Sequence, residues 1–162
     1  MPQTQKYMRE IIISLVAIFS TVNLIIAQEQ EASLGIRIGT SNGISCKAYL
    51  SPKNAGELIL ILRSGGFNVT GLYERQLAVK NSRTFFYFGA GAHVGYIYSI
   101  LWENIDETKD PSIIGIDGVI GLEYLCAKIP LGLSLDWKPA LNVIGNSAFR
   151  ITEFAISLRY LF

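Results

Sequence analysis

The C-terminal segment of the chain alternates strictly between two kinds of side chain. In an extended strand, one face would carry the apolar and aromatic residues Phe154, Ile156, Leu158, Tyr160 and Phe162. The opposite face would carry Glu153, Ala155, Ser157 and Arg159. A carboxylate and a guanidinium that point away from an apolar face are typical of a wall with lipid outside and a polar lumen inside. The segment therefore predicts a strand of a transmembrane β-barrel.

The N-terminal segment, residues 1–27, has the organisation of a secretory signal peptide. Lys6 and Arg9 precede a long apolar run, and Ala27 is a suitable small residue before a cleavage point. The run is somewhat shorter than the roughly 20 residues of a spanning helix, so an uncleaved membrane anchor is the alternative interpretation. Cleavage after Ala27 would leave residues 28–162, which is enough chain for one domain.

The composition narrows the class of protein. Charged residues make up 17% of the chain, the net charge is +1, and half of the residues are hydrophobic. These values argue against a basic nucleic-acid-binding surface and against disorder. After residue 27 no uninterrupted apolar stretch is long enough for a spanning helix. Because only helices and closed barrels cross a bilayer, a membrane interpretation of this domain requires a barrel.

Alternation and turn residues predict eight strands. They cover about 33–41, 43–51, 57–64, 66–78, 84–100, 112–126, 129–139 and 150–162. In the last four, the polar face also collects small residues, which suits the narrow, side-chain-filled interior of a barrel of about eight strands. The strand at 57–64 is apolar on both faces, so its register cannot be assigned, and a soluble barrel or sandwich would read similarly.

Aromatic residues cluster near predicted strand ends and suggest a girdle at each membrane interface. With the N-terminus in the periplasm, Phe86 and Tyr124 would lie at the periplasmic rim, together with Tyr160 and Phe162 of the terminal strand. The opposite rim would carry Phe67, Tyr98, Trp102 and Trp137. The long outer loops would then be Leu101 to Pro111 and Lys138 to Phe149.

These features together resemble a known family. The signal peptide, the Gly-rich strand pairs and the segments IPLGLSLDWKPAL and ISLRYLF look like the small eight-stranded outer-membrane β-barrel proteins of Gram-negative bacteria. The resemblance implies an up-and-down antiparallel barrel in the outer membrane, in contact with lipid and lipopolysaccharide. It also implies that the terminal strand, ending in Phe162, is recognised by the barrel assembly machinery. The short hairpins near residues 42 and 65 depart from the family and leave little surface for ligand capture.

The alternation also predicts which charged residues face the lumen. They are Arg37, Lys47, His93, Asp117, Glu123, Asp136, Lys138, Glu153 and Arg159. Buried charge is tolerated only when it is paired and hydrogen-bonded, so we expect a mixed network that plugs the lumen. An eight-stranded barrel is filled by side chains, which disfavours a conducting pore.

His93 is the only histidine, and a hairpin that closes symmetrically around residues 105 and 106 would place it opposite Asp117. Such a pair is similar to that of small outer-membrane enzymes that modify lipid A, where it activates a serine. Ser134 and Ser157 are the candidate serines. We expect a structural or interaction role without catalysis, with this enzyme as one alternative. The other is a soluble periplasmic barrel that binds a small apolar ligand.

No cofactor or metal site is expected from the sequence. It has no metal-ligand spacing and no phosphate-binding loop, and we expect no nucleic-acid partner. Cys46 and Cys126 would lie far apart around a barrel, whereas a disulfide needs Cα atoms within about 7 Å, so no bridge is predicted. The acidic loop Trp102 to Pro111 could bind a divalent cation, although a solvated loop is the simpler reading.

Overall fold

The computed structural model describes residues 32–63, 66–79, 82–97, 112–144, 149–150 and 152–162. The predicted signal peptide, residues 1–27, lies outside the described residues, as do Tyr98, Trp102 and the acidic loop. Ten strands are formed: Ala32–Gly39 (β1), Gly43–Ser51 (β2), Asn54–Arg63 (β3), Gly66–Ala78 (β4), Thr84–Ile97 (β5), Ser112–Leu125 (β6), Leu131–Trp137 (β7), Ala140–Ile144 (β8), Phe149–Arg150 (β9) and Phe154–Leu161 (β10).

The strands close into one antiparallel barrel. Each strand from β1 to β6 pairs with the next one along the chain, and β1 closes the ring by pairing with β10. Strands β7 and β8 follow one another along β6, and β9 and β10 together form the last wall segment. Because β7 with β8, and β9 with β10, each occupy one position around the barrel, which we call a wall, the ten strands form eight walls. This confirms the predicted all-β, eight-stranded antiparallel barrel.

The seventh wall continues beyond its predicted end. The seventh strand was predicted to end at Pro139, a residue that cannot donate to a ladder. Its carbonyl nevertheless accepts a hydrogen bond from the Gly118 N–H at 2.9 Å, and β8 resumes with Leu141 opposite Ile116. The prediction of a loop from residue 138 to residue 149 was therefore wrong, because strand pairing occupies much of that segment.

This continuation changes the position of one predicted girdle residue. Trp137 lies at the junction of β7 and β8, opposite Ile120, and its ring stacks on Phe154 with centroids 6.3 Å apart. Pairing between β6 and β8 continues beyond Trp137, from Asp117 to Ile114. Trp137 therefore lies within the seventh wall and not at its rim, where it was predicted. Phe67 and Tyr124 do project outward close to strand ends.

The two faces of the wall differ sharply in chemistry. Leucine, isoleucine and aromatic side chains point outward and are exposed, for example Ile36 at 52% and Leu135 at 55%. Except for Arg75 on β4, the charged side chains described within the strands point inward and are buried. The structure also assigns the register of the third strand, in which Glu57 and Ile59 face inward and Leu58 faces outward.

The interior is not entirely polar. A small apolar cluster of Ile59, Ile61, Leu72, Tyr87 and Val119 is buried inside. Within the described residues, no helix has the length and apolar character needed to cross a membrane. Cys46 points outward from β2, Cys126 follows β6, and both are free thiols.

Glycine makes room for one large interior ring, which leads to a prediction on stability. A Cβ on Gly121 would lie 2.6 Å from Cζ of Tyr87, whereas a Cβ on the outward-facing Gly71 would meet no atom within 4 Å. We expect Gly121→Ala to lower the free energy of unfolding by about 1–3 kcal/mol, because overpacking displaces Tyr87. Urea unfolding of the purified protein in detergent micelles measures this.

The matched control is Gly71→Ala, which removes a glycine from β4 without a clash. We expect it to leave stability unchanged or to raise it by about 0.4–1 kcal/mol through the unfolded chain. An equal loss of unfolding free energy in the two variants would show that Gly121 is not needed to make room for the Tyr87 ring.

Candidate functional site

The interior charge network is the most developed site in the barrel. The structure places all nine charged residues expected in the lumen in the interior, each nearly or fully buried: Arg37, Lys47, His93, Asp117, Glu123, Asp136, Lys138, Glu153 and Arg159. It adds two carboxylates that the sequence analysis missed, Glu57 and Glu74.

Arg159 on β10 forms the centre. Its Nη2 lies 2.5 Å from Oε1 of Glu57, and its Nη1 lies 3.1 Å from Oε1 of Glu123. The guanidinium also donates to Oγ of Ser134 and to Oγ of Ser45, each at 2.9 Å. Because the rigid fork of arginine directs its donors along fixed lines, this one side chain holds two carboxylates and two hydroxyls in place.

Lys47 on β2 extends this centre. Its Nζ lies 2.8 Å from Oε2 of Glu74 and 3.1 Å from Oε2 of Glu123. It also lies 4.2 Å from the centroid of the Tyr87 ring, a cation–π contact that a desolvated site strengthens. Gln76 donates to the same Glu123 oxygen at 3.2 Å. Glu123 is thus shared by the two central cations.

A second pair lies beside this centre. Arg37 on β1 and Asp136 on β7 form a bidentate pair, in which Nη1 donates to Oδ2 at 2.7 Å and Nη2 donates to Oδ1. The hydroxyl of Tyr87 donates to Oδ2 of Asp136 at 3.2 Å. Tyr87 therefore connects this pair to Lys47, since its ring contacts one and its hydroxyl contacts the other.

A third group contains the histidine. Nδ1 of His93 lies 2.6 Å from Oδ2 of Asp117, and Nε2 lies 3.1 Å from Oδ1 of Asn142. Lys138 donates to the other oxygen of Asp117 at 2.6 Å and lies 3.0 Å from Oε2 of Glu153. The structure thus brings together His93 and Asp117, which the sequence analysis singled out, but embeds them among three further polar side chains.

The register of the hairpin differs from the one assumed from the sequence. His93 pairs with Gly115, and Asp117 pairs with Gly91, so the two side chains meet diagonally across β5 and β6. Both ring nitrogens of His93 are engaged, by Asp117 and by Asn142. Neither nitrogen is therefore placed to take a proton from a serine in this arrangement.

The two candidate serines have other surroundings. Ser134 accepts a hydrogen bond from Arg159 and therefore belongs to the group of side chains around Arg159. Ser157 is fully buried, and its hydroxyl has no hydrogen-bond partner among the described residues. In the described part of the chain, neither candidate serine is therefore joined to His93 and Asp117.

The two missed carboxylates have a common explanation. Glu57 opens a segment that is apolar on both faces, and Glu74 stands next to Arg75, so alternation alone assigns neither to a face. The one useful signal is the row formed by Tyr73 and Leu77, which would have placed Arg75 outside and Glu74 inside. With both acids included, the carboxylates in the described part of the interior outnumber the lysines and arginines described there.

In the part of the chain that the structure describes, no group of three or more histidine, cysteine or acidic residues is arranged to hold a metal ion. A comparison with protein-family models gives no match, and a comparison with curated proteins gives none either. Fold and interior together define a closed eight-stranded antiparallel β-barrel that is filled by an ion-pair network.

The central position of Arg159 leads to a prediction. Replacing Arg159 with Gln leaves Glu57 and Glu123 short of a cation in a site without water access, and removal of one partner of a buried pair costs about 3–5 kcal/mol. We expect Arg159→Gln to lower the free energy of unfolding by that amount in detergent micelles, measured by urea titration.

The control is Lys128→Gln, which removes the same charge from an exposed turn. A surface substitution of this kind changes stability by only about 0.5 kcal/mol or less. A loss for Arg159→Gln no larger than that of the control would show that the interior network does not stabilise the barrel.

Proposed function

We propose that the protein is an integral outer-membrane β-barrel of a Gram-negative bacterium, with a structural or interaction role and no catalysis of its own. The observation that carries the proposal is the inverted distribution of side chains. The outward rows of the strands are apolar and exposed, while the carboxylates in the described part of the chain lie inside. A soluble barrel has the opposite arrangement, with leucine inside and charge outside.

The extent of the apolar surface supports a lipid environment. Exposed leucine, isoleucine, valine and aromatic side chains occur on every wall, including Ile38, Leu62, Val94, Ile116 and Ile156. Soluble monomers rarely expose contiguous apolar patches larger than a few hundred Å². Lipid chains would cover such a surface without a free-energy cost. In water, the same surface would strongly favour aggregation.

The interior supports a structural role over conduction. Lys47 on β2 reaches Glu123 on β6, and Arg159 on β10 reaches Glu57 on β3, so ion pairs cross the lumen between non-adjacent walls. Side chains of a barrel of this size fill its interior. A continuous aqueous path is therefore not part of the proposal.

Export and assembly complete the proposal. Residues 1–27 would act as a signal peptide that is removed after Ala27, and the chain would cross the periplasm before insertion. The exposed apolar row of β10, which runs from Phe154 to Tyr160 and continues to Phe162, would present the assembly signal to the barrel assembly machinery. Lipid and lipopolysaccharide would then contact the outer wall.

The first test compares boiled and unboiled protein on a gel, after separation of the outer from the inner membrane. We expect an unboiled band that migrates faster, because a closed barrel resists detergent, and we expect it in the outer-membrane fraction. A protein found in the soluble periplasmic fraction would overturn the membrane assignment.

A charge on the outer wall separates the membrane barrel from the soluble one. Leu135 points outward near the middle of the wall, and an arginine at the bilayer midplane costs about 2–4 kcal/mol. We therefore expect Leu135→Arg to lower the free energy of unfolding in lipid vesicles by that amount. In a soluble barrel the same change would be nearly neutral.

Ile129 provides the matched control, because it is equally exposed but lies in the turn between β6 and β7. The cost of a cation falls to about 0–1 kcal/mol near the membrane interface. Equal effects of Leu135→Arg and Ile129→Arg would count against a bilayer around the wall.

The contact between His93 and Asp117 keeps one enzymatic alternative testable. The proposal expects His93→Ala to leave the lipid A profile of the membrane unchanged, because both ring nitrogens serve the interior network. Mass spectrometry of extracted lipid A measures this. An altered profile in a variant that still folds would make lipid modification the leading function.

A further inference from the structure

Positive and negative side chains are distributed differently between the inside and the outside of the barrel. The carboxylate side chains that the structure describes are all buried in the lumen. Of the cationic side chains whose burial is described, four lie inside and four are exposed. The exposed ones are Lys53, Arg75, Arg83 and Lys128. The described outer surface therefore carries positive charge without a neighbouring described carboxylate to neutralise it.

The four exposed cations lie at one end of the barrel. Lys53 is in the turn between β2 and β3, Arg83 precedes β5, and Lys128 is in the turn between β6 and β7. In an antiparallel barrel these turns share one rim, which is also the end at which β10 finishes. Arg75 lies near the same rim, three residues before the last residue of β4.

Arg75 differs from the other three exposed cations because it lies within a strand, β4, and not in a turn. Among the strand residues whose side chains the structure describes, it is the one charged residue on the outer face. Its outward neighbours along β4 are Tyr73 and Leu77, and its partner on β5 is Phe88, which is also exposed. An arginine there can direct its guanidinium to the headgroup layer while its stem contacts apolar surface.

Lys53 is the nearest described cation to Arg75 along the ladder. Asn54 pairs with Arg75 across β3 and β4, and the N–H of Gln76 donates to the carbonyl of Lys53 at 2.7 Å. The two cationic residues therefore share one edge of the rim. A guanidinium binds phosphate in a bidentate manner, and an ammonium adds a compact charge beside it.

From this placement we propose that Lys53 and Arg75 bind the phosphate of an anionic phospholipid in the membrane leaflet that surrounds this rim. The inference rests on the proposed function, since it needs a bilayer around the wall. The exposed rings of Tyr73 and Phe88 would contact the acyl chains of the same lipid. Arg83, whose carbonyl accepts a hydrogen bond from the N–H of Leu125 on β6, and Lys128, in the turn between β6 and β7, lie on the β6 side of the rim and are not part of the site.

The test is a lipid titration of the purified, folded protein in a neutral detergent, followed by native mass spectrometry. The probe is dioleoylphosphatidylglycerol, and dioleoylphosphatidylcholine is the neutral lipid with the same acyl chains. We expect preferential retention of the anionic lipid. Lys53→Gln combined with Arg75→Gln should weaken its binding about thirtyfold, because each cation near an anionic headgroup contributes about 1 kcal/mol.

The matched control combines Arg83→Gln with Lys128→Gln, which removes the same charge from the same rim. We expect it to leave the affinity within about twofold. Equal weakening in both double variants would mean a diffuse cationic ring and would overturn the assignment to Lys53 and Arg75. Displacement of the bound lipid by inorganic phosphate at a similar concentration would indicate a free-anion site and would overturn the assignment to a lipid.

The failure of this inference is distinguishable from failure of the proposed function. The same preparations are run unboiled on a gel and floated with vesicles of the neutral lipid. A protein that neither floats with vesicles nor migrates as a folded barrel would contradict the membrane assignment itself. A protein that inserts but retains both lipids equally would overturn the lipid site alone.

Discussion

The ion pairs of Arg159 with Glu57 and Glu123 are the interaction on which the interior depends. A narrow barrel with an apolar outer wall has no other place for these charges, and a buried charge without a partner costs several kcal/mol. Arg159 draws together residues from β3, β6 and β10 and also holds Ser45 and Ser134. Strands that are not neighbours in the sheet are thereby tied across the lumen.

Space for this network comes from small residues on the inner face. Tyr87 can lie across the lumen because Gly121 opposite it has no side chain, and in that position its ring meets Lys47 while its hydroxyl meets Asp136. The same ring belongs to the apolar cluster with Ile59 and Val119. Polar and apolar packing are therefore coupled through one aromatic side chain, so the interior is a single packed unit.

The described charges on the surface are also unevenly distributed. Carboxylates are retained inside, where cations hold them, and exposed cations such as Arg75 and Lys53 lie toward one rim. Cations at a rim can attract the anionic headgroups of a bilayer leaflet. The ion pairs that fill the interior and the exposed cations at this rim thus both follow from the positions of the described charged residues.

Period-two alternation in segments such as 112–126 and 154–162 was enough to predict strands, their inward and outward faces and a closed barrel, because alternation reports directly which side chains share a face. It could not place Glu57 or Glu74, since an apolar run and a pair of adjacent charges have no unique facing. It also ended the seventh strand at Pro139, where pairing in fact resumes. Which carboxylate meets which cation depends on register between distant strands, and only the tertiary structure decided it, because contacts across a lumen join residues that no local pattern relates.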